Sequence, residues 1–139
     1  AIVTISEFSK GEIVSRLGVP PGRIHVIPPG IDAPPVSLSA SRDSGVHLLY
    51  VGSIFNRRRI PDLIRAFDRL ALRHEDAHLH LVGDNRSYPH QDIASLIAAA
   101  NASARMHWHR YVSDADLQQL YRQARGFVFL SEYEGLGLT

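Results

Sequence analysis

The spacing of apolar residues along this chain changes several times, and each change marks an element. The β-branched run at 2–5 (Ile2, Val3, Thr4, Ile5) predicts a short strand. A helix follows, opened by Ser6 or Ser9. Ser9-Lys10-Gly11-Glu12 has capping-box spacing, and Ile13, Val14 and Leu17 form the apolar face. Gly18 stops this helix, Val19-Pro20-Pro21-Gly22 makes a turn, and 23–27 reads as a second strand ended by Pro28-Pro29-Gly30. From 33 to 45 the chain turns to Ala, Pro, Ser and Gly with few apolar residues, which predicts a linker and places a domain boundary there.

Strand and helix periods then alternate. Strands are expected at 46–51, 78–82, 105–109 and 127–130. Between them lie helical patterns with apolar faces of Ile60, Leu63, Ile64, Phe67, Leu70 and Ala71, then Ile93, Leu96, Ile97 and Ala100, then Leu117, Leu120, Tyr121 and Ala124. The first starts near Pro61, where proline costs nothing because that N–H lacks an intrahelical partner. The second spans 92–102, and Ser113-Asp114-Ala115-Asp116 caps the third. Crossover helices between parallel strands are the economical solution to this order, so the expected class is α/β with a Rossmann-like open parallel sheet.

Composition narrows the function classes. The 139 residues suit about one domain, with 45% hydrophobic and 21% charged residues and a formal net charge of +1. That balance, without a basic stripe carrying stacking aromatics, argues against nucleic acid as a partner. There is no cysteine, hence no disulfide, thiolate nucleophile or thiolate metal site. No apolar run reaches membrane-span length and no signal peptide is visible, so a cytoplasmic setting is the default expectation. His78/His80 and His107/His109 are i, i+2 pairs, each on one side of its strand. No carboxylate converges on them in the sequence, so packing or edge positions are expected and a metal site is not.

Two stretches carry candidate chemistry. Gly52 ends a strand and Ser53-Ile54-Phe55-Asn56-Arg57-Arg58-Arg59 leads into a helix N-terminus, a combination suited to phosphate. The other stretch, Ser131 to Thr139, follows the apolar run at 127–130. There Gly135 and Gly137 bare backbone amides beside Glu132 and Glu134, the mixture of donors and acceptors that a polyol needs.

The wording Ser-x-Tyr-Glu-Gly-Leu-Gly-Leu at 131–138 resembles the donor-site motif of retaining glycosyltransferases of family 4 (glycosyl transferases group 1), which have the two-domain GT-B fold. The resemblance continues through 111–130 and covers nearly all of the chain outside the linker. Segments 5–10 and 23–32 resemble the close of the family's N-terminal, acceptor-side domain, and 46–139 the nucleotide-sugar-binding domain. Because the family's Glu-x7-Glu motif would end beyond Thr139, the chain is expected to be a fragment and inactive alone.

That likeness implies transfer of a sugar from a nucleoside-diphosphate sugar with retention, with no cofactor. Glu134, first glutamate of the motif, would hold donor-sugar hydroxyls at the catalytic centre. Amides of Gly135, Leu136, Gly137, Leu138 and Thr139 would bind sugar and phosphate oxygens. Gly52, Ser53, Arg57 and Arg58 would hold the diphosphate, with Arg59 exposed where glycine or asparagine is usual. Tyr111 and Val112 would lie against the base, although Arg110 stands where a glycine is usual. The acceptor is unknown, whether glycan, lipid or small molecule, and peripheral membrane contact through the N-terminal domain stays open. The alternative reading is a non-catalytic nucleotide- or phosphate-binding module.

Overall fold

The computed structural model describes residues 1–30 and 45–137, which fall into two compact units, 1–30 with 133–137 and 45–132. Apart from Gly45, the expected linker lies outside the described residues.

In the first unit, strand β1 (Ile2–Thr4) pairs in parallel with β2 (Ile24–Val26), Ile2 opposite Ile24. Helix α1 (Glu7–Leu17) joins them. Ser6, not Ser9, opens it: Ser6 has the extended backbone an N-cap requires, and its Oγ accepts from the Ser9 N–H at 3.1 Å. Glu12 then pairs with Arg16 at 2.5 Å instead of closing a capping box. Gly18 ends the helix at φ 63°, the left-handed conformation that glycine adopts without a Cβ penalty.

The second unit is a four-stranded parallel sheet in the order β5-β4-β3-β6, formed by β3 (Val46–Val51), β4 (Ala77–Val82), β5 (Met106–His109) and β6 (Ala124–Phe127). Helix α2 (Ile60–Ala71) connects β3 to β4, α3 (Ile93–Ala98) connects β4 to β5, and α4 (Asp114–Gln123) precedes β6. This is the expected open parallel α/β sheet. Alternation along β4 buries Ala77, Leu79 and Leu81, which join Tyr50, Ile54, Met106 and the Leu63, Ile64 and Phe67 face of α2 in one core. Ile60 begins α2 and Pro61 occupies its first turn, as the apolar spacing requires.

Beyond the Ser9 capping box, the expectations for α3 and for the last strand also fail. The second helix runs only from Ile93 to Ala98, short of 92–102, because a tertiary contact captures its continuation. The Asp68 carboxylate accepts from the Ala102 N–H at 2.8 Å and from Asn101 Nδ2 at 3.0 Å, pulling this stretch off the helix axis. The last strand is Ala124–Phe127, not 127–130. Pairing with β3 decides this: His47 faces Ala124, Leu48 faces Gly126 and Leu49 faces Phe127, with an irregularity between His47 and Leu48. One further bond, Val128 N–H to Leu49 O at 2.8 Å, completes the ladder. Leu130 is half exposed rather than buried.

Strand β3 lies between β4 and β6, so the chain leaves it toward one side and returns on the other. Such a reversal opens a crevice at the carboxyl ends of the strands, where open α/β sheets bind ligands.

Candidate functional site

The loop after β3 opens on Gly52 at φ 145°, and the loop after β4 opens on Gly83 at φ 146°. Both values suit glycine. The two turns approach so closely that a Cβ on Gly83 would lie 2.0 Å from the Gly52 carbonyl oxygen. Ile54 then joins Asn85 in a parallel bridge, with Ile54 N–H donating to Asp84 O and Arg86 N–H donating to Ile54 O. The Tyr50 hydroxyl donates to Ser53 O at 3.2 Å. The loop is therefore pinned at its base before the arginines begin.

Asn56–Arg58 form a single 3-10 turn that sends successive side chains to different places. Arg57 is exposed, with its guanidinium 4.5 Å from the Phe55 ring centre. Arg58 is buried, its guanidinium 4.3 Å over the Phe129 ring. Arg59 adopts φ 56°, a left-handed conformation costly for a residue with a Cβ.

Arg59 is exposed as expected, and its side chain is engaged. Nε donates to Asp62 Oδ2 at 2.5 Å, and Nη1 donates to Glu132 Oε1 at 2.7 Å. Arg65 holds the other oxygen of Asp62. At Asp62 desolvation works against ionisation, but the hydrogen bonds and charges of Arg59 and Arg65 outweigh it and hold the carboxyl below its ordinary range. The same contacts, Asp62 first, raise Arg59. The Glu132 N–H also donates to Arg57 O at 2.9 Å. Glu132 thus ties the strand-end segment to the arginine loop. Sequence carried no sign of this pairing, because the partners are 73 residues apart.

These groups border a hollow of about 510 Å³ at the start of α2, lined by Asn56, Arg57, Arg59, Asp62, Arg65 and Glu132 among others. Of the two arginines expected to hold phosphate, only Arg57 faces it. A second hollow of about 500 Å³ lies between the end of β5 and α4, and Tyr111, Val112, Ser113, Asp116 and His109 line it. Tyr111 is 87% exposed, so it presents a ring face to solvent instead of packing on the sheet. Arg110 lies 5.1 Å over the Trp108 ring. Glu134, Gly135, Leu136 and Gly137 belong to the first unit. There the Tyr133 hydroxyl donates to Glu12 at 2.9 Å, and a Cβ on Gly135 would come 3.2 Å from Ser9 Oγ. Leu138 and Thr139 lie outside the described residues.

The paired histidines do share one side of their strands, and they have company. His47 on β3 lies opposite His78, so five imidazoles occupy the face away from α2 and α3. Among the described residues, no group of three or more histidines and carboxylates is placed to hold a metal ion. No helix among them is long and apolar enough to cross a membrane.

Residues 39–139 match the family model described as "Glycosyl transferases group 1". The chain is 26% identical to O-antigen chain mannosyltransferase B of Escherichia coli, over 99% of its own length and 39% of that protein. It is 30% identical to mannosylfructose-phosphate synthase of Agrobacterium fabrum, over 91% of its length and 32% of that protein. The fold is that of the lipopolysaccharide outer core galactosyltransferase WaaB in its apo form, with TM-score 0.70 at 22% identity, covering 98% of this chain and 38% of that one. It is also that of TarM, with TM-score 0.77 at 18% identity over 99% of this chain and 26% of the other. The chain thus spans about two fifths or less of each of these relatives.

Proposed function

The chain belongs to the glycosyl transferases group 1 family, and from that premise we propose that it is the donor-binding part of an enzyme that moves a sugar from a nucleoside-diphosphate sugar to an acceptor. One observation supports this most directly: the Gly52–Arg59 loop stands at the carboxyl end of β3, at the reversal of strand order, and sets the exposed Arg57 on the lining of a hollow beside a helix N-terminus. A guanidinium there neutralises charge building on a departing diphosphate. Arg58, stacked on Phe129, shapes the loop.

In this reading the loop at Tyr111 and Val112 receives the base, and Glu134 with the amides of 135–139 receives the sugar. Anomeric configuration is retained, and a single carboxylate gives no basis for a double displacement. No cofactor is required. The acceptor binds outside this donor-binding part, in the cytoplasm or at a membrane surface, and the donor-binding part by itself does not turn over. Mannosyltransferases among the relatives make a mannosyl nucleotide the first donor to try.

Calorimetric titration of the protein with guanosine, uridine and adenosine diphosphates tests the binding claim. Arg57→Ala should weaken the preferred nucleotide by about tenfold, the loss of one charge-assisted contact. Turnover of the matching nucleotide sugar by a polypeptide that includes the acceptor-side domain tests the chemistry. Binding without turnover would favour the non-catalytic module, and absence of binding to every nucleoside diphosphate would sink the transferase reading.

A further inference from the structure

The face of the sheet opposite α2 and α3 carries five histidines in register: His47 on β3, His78 and His80 on β4, and His107 and His109 on β5. Their rings form a continuous stack. Centroids are 5.3 Å apart for His47–His78 and His47–His80, 5.6 Å for His78–His107, 4.9 Å for His80–His107 and 5.9 Å for His80–His109. Two ring-to-ring hydrogen bonds cross strands: His47 Nδ1 to His80 Nε2 at 3.1 Å joins β3 to β4, and His78 Nδ1 to His107 Nε2 at 3.3 Å joins β4 to β5. A bond between two imidazoles needs one ring to accept, so at least one member of each pair must be neutral.

We propose that this histidine bank is an acid-released staple, holding β3, β4 and β5 together while its rings are neutral and loosening the sheet when they are protonated. Each bond is lost when both partners are charged, and stacked cations at these separations repel one another. Two described elements border the bank on this face, β6 and α4. Ala124 on β6 is the register partner of His47, and α4 contributes Gln119, Gln123 and one carboxylate, Asp116, to the hollow lined by His109. At His80, the ring at the centre of the bank, burial acts first and the charges of His107, His47, His109 and His78 follow, bringing it from 6.5 to about 4. His107 is lowered as well, by burial first and then by His78, His109 and His47. Among the described residues the nitrogens do not converge in a metal-holding group.

Thermal melts with a chelator present test the staple. The wild-type midpoint should fall by roughly 5 °C or more between about pH 7 and about pH 5. His80→Asn should remove at least about half of that dependence. Ring-carbon NMR of the unsubstituted protein decides the matter even if the variant folds poorly. His80 should keep neutral-form shifts at about pH 5, and the cross-strand bonds should vanish together with sheet amide protection on further acidification. Equal pH slopes in wild type and a folded His80→Asn variant would overturn the proposal. So would His80 titrating at its ordinary value with the sheet intact.

Discussion

Single residues at the two strand ends determine how closely the loops can approach. At Gly83 a side chain meets both a left-handed backbone and the Gly52 carbonyl, and neither neighbour can rotate away as a flexible side chain could. Gly83→Ala should therefore cost about 3 kcal/mol, read as a lower urea midpoint with an unchanged slope. Arg59 presents the opposite case. It occupies a left-handed position with exposed ion pairs, which contribute little in water. Arg59→Asn should raise the melting midpoint slightly, because asparagine tolerates this conformation. The same change frees Glu132, so a rise in the mobility of the 131–132 backbone, seen by NMR relaxation, should accompany it.

At the scale of elements, α2 and α4 are held in different ways. Helix α2 buries Ile60, Leu63, Ile64, Phe67 and Ala71 against the sheet. Phe67→Ala should cost about 3–5 kcal/mol, enough to unfold a marginal domain, and calorimetry would show it as a lost transition. Helix α4 has no fully buried residue and depends more on its ends. Its Ser113 cap accepts from the Asp116 N–H at 3.2 Å and donates to Asp116 Oδ2 at 2.6 Å. Ser113→Ala should cost about 1 kcal/mol and reduce helicity at the entrance to the Tyr111 hollow, which circular dichroism and nucleotide affinity would report together.

For the whole molecule, pH and ligand are the two external levers on stability. His80 is lowered in the folded state, so between 6.5 and about 4 the unfolded chain binds the extra proton. Its stabilising effect is thus complete above the unfolded value and lost as pH falls toward the folded one. A bound nucleoside diphosphate should act in the other direction, adding about 2.7 kcal/mol at roughly 100 times its Kd. A nucleotide-dependent rise in Tm that Arg57→Ala cuts to about half would tie the ligand to the arginine loop.

Sequence by itself determined whatever rests on local repetition or local backbone chemistry. The apolar spacing of α2, the alternation along β4, the Ser113 cap and the glycines ending β3 and β4 all act within a few residues, and the parallel α/β order follows from them. The arginine loop was also legible, as basic residues between a strand and a helix. Tertiary structure decided what depends on partners distant in the chain. Pairing with β3 set β6 at Ala124–Phe127, and the Asp68 carboxylate cut α3 short. The 3-10 turn separated the fates of three consecutive arginines, one exposed, one under Phe129 and one paired with Glu132. Strand register gathered histidines from three strands onto one face. Contacts of this kind come from chain closure over tens of residues, and no local pattern encodes their register.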